Sequence, residues 1–206
     1  MVSSAPVIES FGRFLDSCIA AGVENIHVVT HSMGIRLFLS AMETKEIFER
    51  FNDLQSYGTQ GKLNLMTTTF ANSDYSVKQF RDVNYEALRN ICSVITLYVD
   101  KGDNALKYSA MFTKTSSLGR LSTPFYTSSD AQVLLDVDIV DTSGLQDNMH
   151  STRHSAFNVN RMMVEDLHDV IANRKRAKFR LSRLVNKKGN LFCFMTTPAA
   201  VTGNIV

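Results

Sequence analysis

The chain has 206 residues, 44% hydrophobic and 20% charged, with three prolines. That is the profile of one globular domain with a sizeable core, and it excludes a disordered or collagen-like chain. Three widely separated cysteines, Cys18, Cys92 and Cys193, exclude a disulfide framework and fit a reducing, cytoplasmic setting. The formal charge of +2 hides an asymmetry: Arg174 to Lys188 holds eight of the 22 basic residues and none of the 20 acidic ones.

The elements read as alternating helices and strands. Residues 10–21 place Phe11, Phe14, Leu15 and Cys18 at helical spacing, with Gly22 as a stop. Residues 26–30 (IHVVT) are short, β-branched and apolar, the pattern of a buried strand. A helical pattern returns over 35–42, and two glycines make 55–61 a loop. A second strand is expected at 63–70, a helix at 77–90, a third strand at 94–99 and a helix at 105–112. Ser, Thr and Gly make 113–130 a loop. A fourth strand is expected at 134–140, then a loop with His150 and His154, then a helix over 158–172. Strand–helix alternation with near-continuous apolar strands predicts an α/β fold: a mostly parallel sheet covered by helices on both faces. No apolar run approaches the roughly 18 residues of a membrane span, and no signal peptide is visible at the start of the sequence.

Functional residues in such sheets follow the carboxyl ends of the strands. The first strand runs into Thr30-His31-Ser32-Met33-Gly34 and then a helix. This is the pattern of a nucleophile elbow, in which small residues flank a serine because strand and helix backbones approach closely. Gly34 meets that need, whereas Thr30 stands where a glycine is usual. The plain alternative is a serine in an ordinary turn. In the elbow reading Ser32 is the nucleophile, and the N–H of Met33 points to where an oxyanion forms. The fold's chain order is Ser, then Asp or Glu, then His. Asp103, Asp100 and Asp74 compete for the acid. His154 and His150 compete for the base, with His154 lying just before the last helix. His31 reads as a packing residue beside the elbow, and His27 and His168 as structural or exposed. No cluster has metal-ligand spacing and no phosphate-binding glycine loop occurs, so neither a metal nor a cofactor is expected.

These residues resemble a known group. Thr30-His31-Ser32-Met33-Gly34-Ile35-Arg36-Leu37 is similar to the elbow of α/β-hydrolases of the DUF900 type, esterase/lipase-like proteins without assigned function. Three later stretches agree in order: Phe70-Ala71-Asn72-Ser73-Asp74-Tyr75 with Phe80 beyond, Leu97 to Leu106, and Val137 to Ser143 followed by His154-Ser155-Ala156-Phe157. The resemblance spans residues 8–172. It implies Ser32 as nucleophile, Asp103 as acid and His154 as base, acting on a small-molecule or lipid acyl ester. Its departures are Thr30 for glycine and Ser73 for proline.

An α/β-hydrolase sheet has several strands before the elbow, and a second oxyanion donor comes from a loop there. The expectation is therefore the C-terminal half of the full sheet over 1–172, followed by a basic extension over 173–206. Loss of one oxyanion donor typically costs about 10²–10³ in rate, so a catalytically impaired binding module is the alternative to a serine hydrolase. The elbow strand would also expose an edge open to self-association. The block from Arg174 to Lys188 is expected either to be solvated or to meet an anionic membrane surface. Without aromatic-interleaved or zinc-finger signatures, nucleic acid is not an expected partner.

Overall fold

The structure, a computed structural model, describes residues 4–56, 58–129, 132–145, 151–180 and 182–195. Helix α1 (Ala5–Ala20) begins earlier than its apolar spacing implies, because Ser4 is extended and Pro6 sits in the first turn, where a missing N–H costs nothing. The chain leaves it through Gly22 at φ +77°. Strand β1 (Asn25–His31), helix α2 (Gly34–Met42) and a short α3 (Lys45–Phe48) follow, then β2 (Asn64–Ala71). The next helix is interrupted: α4 (Val77–Gln79) and α5 (Tyr85–Ile91) flank a π-helical turn at Phe80–Asn84. Strand β3 (Cys92–Val99) leads to α6 (Asn104–Thr113). Strand β4 is shorter than expected, Asp138–Asp141: of the residues before it Leu135 and Val137 are buried and Leu134 and Asp136 exposed, and none of the four joins the parallel ladder. Helix α7 (Arg161–Asn173) starts at Asn160, whose side chain accepts the Met163 N–H.

Six strands form one sheet in the order β1-β2-β3-β4-β6-β5, with β5 (Leu184–Lys188) and β6 (Leu191–Phe194) closing it. The strands from β1 through β4 to β6 run parallel, and β5 is antiparallel. The period of two splits the core. Ile95, Leu97, Val99 and Ile139 enter one cluster with α2 and α5, while Tyr98 and Val140 enter another with Met163 and Phe194. Each fully buried Leu or Ile contributes about 1.5–3 kcal/mol. All eight residues of β2 are buried, whereas β1 is an edge strand and half-exposed. Among the described residues no helix is long and apolar enough to cross a membrane.

Part of the segment expected as a basic extension lies in the sheet. Residues 184–194 form a hairpin whose second strand pairs with β4, so the segment belongs to the sheet. Its cations are largely spent inside the fold. Buried Asp138 and Asp141 on β4 require partners, and Arg176 and Lys187 reach them at 3.0 and 2.8 Å. Arg180 is fully buried against Asp166, which also accepts the Tyr98 hydroxyl at 2.6 Å. Arg183 and Lys175 both meet Asp169.

Candidate active site

The parallel register brings the strand ends level: His31 lies opposite Ala71, Ala71 opposite Tyr98, and Val99 opposite Asp141. The residues that follow each strand meet along this edge. Ser32 has φ +54°, a left-handed conformation that costs a non-glycine residue about 1–2 kcal/mol. Its two backbone groups hold it there, the N–H donating to Ala71 O at 3.1 Å and the carbonyl accepting Asp74 N–H at 3.0 Å. A Cβ on Gly34 would stand 3.7 Å from Thr30 Cβ, ordinary contact. The turn therefore has room for threonine at the usual glycine position. Met33, the N-cap residue directly before α2, is exposed.

Asp103 closes the turn after β3 and is fully buried. Its Oδ1 caps α6 by accepting the Leu106 N–H at 2.9 Å. Its Oδ2 accepts His154 Nδ1 at 2.7 Å and Asn72 Nδ2 at 2.8 Å. A histidine that donates from Nδ1 keeps Nε2 as its basic nitrogen. Asn72 follows β2 with φ +45°, a conformation asparagine tolerates better than most residues. Sequence reasoning missed its role; the one signal was an asparagine in the turn directly after a buried strand.

The competing acids have other partners. Asp100 is buried and salt-bridged to Arg153 at 2.9 Å. The Arg153 guanidinium also donates to the carbonyls of Thr142, Ser143 and Leu145. Arg153 immediately precedes His154 and itself has φ +57°, so this clamp holds the histidine loop against the ends of β3 and β4. Gly102 leaves room for it, since a Cβ there would lie 2.9 Å from Arg153 Cδ. Asp74 is paired with Arg36 of α2 at 2.9 Å and accepts the Ser109 hydroxyl. His150 lies outside the described residues.

Under the site runs the segment Ser117-Leu118-Gly119, expected as open loop but buried. Gly119 donates to Ser73 O and accepts from Asp100 N–H, both at 2.9 Å. A Cβ on Gly119 would collide with the Asn72 and Ser73 backbone, so only glycine lets the segment approach this closely.

His31 donates from Nε2 to the His154 carbonyl at 2.7 Å. Its ring packs 4.6 Å from the His154 ring and 4.7 Å from Phe157. Burial holds the His31 imidazole below its ordinary pKa, countered by the hydrogen bond to the His154 carbonyl. His27 bonds Thr67 Oγ1 at 2.8 Å, and His168 is exposed. Among the described residues no His, Cys, Asp and Glu cluster could hold a metal ion.

A family model described as "Alpha/beta hydrolase of unknown function (DUF900)" matches residues 4–174. No curated protein and no solved structure matches the chain.

Proposed function

From the chain's place in the α/β-hydrolase family DUF900, to which it belongs, we propose that it is a serine hydrolase cleaving an ester or related acyl bond. The observation that supports this most is the 2.7 Å bond from His154 Nδ1 to buried Asp103, on the sheet edge where Ser32 sits in a left-handed turn. In this reading Ser32 Oγ attacks the carbonyl and His154 Nε2 takes its proton. Asp103 fixes the tautomer and stabilises the imidazolium. The Met33 N–H, at the start of α2, stabilises the oxyanion. Collapse of the tetrahedral species expels the alcohol with the proton from His154, and water then releases the acyl group by the same steps.

A fluorophosphonate probe tests this directly. Wild type should label and Ser32→Ala should not; equal labelling of the two would reject the assignment.

A second reading, a binding module without turnover, is favoured by one observation. β1 is an edge strand, so no neighbouring strand on that side carries a loop beside Ser32 among the described residues. Robust ester hydrolysis lost in Ser32→Ala would reject it.

A further inference from the structure

Helix α6 begins at Asp103, whose carboxylate caps it, so its position is tied to the candidate site. Its middle is fixed as well. Ser109 donates to Asp74, and Asp74 is paired with Arg36 of α2, the helix that follows Ser32. The helix buries Leu106. The opposite face carries Tyr108, Met111 and Phe112, which are 63, 68 and 87% exposed. At i, i+3 and i+4 these side chains form one stripe. Large apolar residues on the outer stripe of a surface helix invert the usual amphipathic arrangement, and such patches mark interaction surfaces.

The charge around the stripe indicates what covers it. Lys107 and Lys114 flank it and have no ion-pair partner among the described residues. From Asn104 to Ser129 the sequence has Lys107, Lys114 and Arg120 and no acidic residue. The two carboxylates that touch the helix, Asp103 and Asp74, are turned inward and occupied by His154, Asn72 and Arg36. Two aromatic side chains of roughly 150–250 Å² each and one methionine fall short of the about 800 Å² per partner of a standard protein interface. An apolar stripe with cations at its border, and a tyrosine in it, matches the boundary of an anionic bilayer.

We propose that α6 docks the chain on an anionic lipid surface. Resting on the serine-hydrolase reading, the ester delivered to Ser32 is then a lipid of that surface. Met33, exposed beside Ser32, stands directly before the helix that the Arg36–Asp74–Ser109 bonds tie to α6. This places the membrane-facing charge on α6 rather than on the block from Arg174 to Lys188, whose cations are largely paired internally.

The full chain contains no tryptophan, so Phe112→Trp is a single-site reporter. Its emission should shift to the blue on vesicles of phosphatidylcholine with phosphatidylserine, and less on phosphatidylcholine alone. Co-sedimentation of the wild type with the mixed vesicles should weaken more than about tenfold in Lys107→Glu/Lys114→Glu, two charges near the surface being reversed. It should weaken likewise in Met111→Ser/Phe112→Ser. No shift and no co-sedimentation would overturn docking. A blue emission without vesicles, together with a dimer in analytical ultracentrifugation, would overturn it in favour of a second copy on this face. Ser32→Ala should bind vesicles as the wild type does, and Met111→Ser/Phe112→Ser should label with a soluble fluorophosphonate as the wild type does. Vesicle binding without labelling rejects the hydrolase and leaves docking standing; labelling without vesicle binding does the reverse. Loss of vesicle-borne ester hydrolysis in Met111→Ser/Phe112→Ser, with a soluble ester still cleaved, supports the lipid substrate. Equal loss of both would overturn it.

Discussion

Asn72 donates its side-chain amide to Asp103 Oδ2 at 2.8 Å, the same oxygen that accepts His154 Nδ1. The two donors leave that oxygen one orientation. Because Oδ1 is fixed by the Leu106 N–H, the carboxylate cannot rotate away from the imidazole. Asn72 is thus a positioning residue for the proposed acid.

Removing the amide while keeping the backbone tests this role. Asn72→Gly retains access to φ +45° and loses the donor. Fluorophosphonate labelling should slow by about tenfold, the lower end of the cost of losing an outer partner of a site. Stability should fall by about 1 kcal/mol for the lost hydrogen bond, read from urea unfolding. Asn72→Asp should slow labelling further, because it sets a second carboxylate against Asp103. Unchanged labelling in both variants would remove Asn72 from the site.

Much of this was legible in the residues, for identifiable reasons. β2 and β3 announce themselves because strands buried in a parallel sheet are rich in apolar and β-branched residues, and β1, though a half-exposed edge strand, keeps Ile26, Val28 and Val29. The elbow is legible because a strand, a serine and a glycine occur at fixed spacing. The hairpin at the end is not. In β5 only Leu184 is buried and the next four residues are exposed, and an edge strand held by backbone bonds leaves little side-chain pattern. Arg180 reads as a solvent charge in sequence, yet it is fully buried because Asp166, on a separate helix, supplies its counter-charge. The choice between Asp100 and Asp103 has the same character. It turns on Arg153, 53 residues beyond Asp100, and no local spacing records that pairing.

The Arg153–Asp100 pair yields a second prediction. Asp100 is fully buried and Arg153 is 23% exposed by side chain. Arg153→Met leaves the carboxylate with the Gly102 N–H at 2.7 Å and no cation. Removing one partner of a buried pair costs about 3–5 kcal/mol, and the partial exposure of Arg153 places this case near the lower end. Urea unfolding should show that loss, and labelling of Ser32 should slow because the loop before His154 loses its clamp. Adding Asp100→Asn to Arg153→Met should recover part of the stability, since the unpaired charge is then gone. A loss under about 1 kcal/mol in the single variant would show that water replaces the guanidinium, leaving little net worth in the pair.

His31 sets a dependence of stability on pH. Burial lowers its pKa in the folded chain from the ordinary 6.5, while in the unfolded chain it titrates near that ordinary value. Above that value His31 is neutral in both states and contributes no pH dependence. As pH falls through it, the unfolded chain takes up the proton first, so stability declines until the folded-state pKa is reached. His27, also lowered by burial and by the charge of Arg174, acts in the same direction. Thermal unfolding between about pH 7.5 and 5.5 should show a falling midpoint for the wild type. His31→Gln should fall less steeply, whatever its absolute stability, because the titrating group is gone. The hydrogen bond to the His154 carbonyl affects the height of the curve, so the difference in slope isolates the proton. Parallel curves for wild type and His31→Gln would mean that His31 titrates alike in both states, and that burial beside the His154 ring does not hold it neutral.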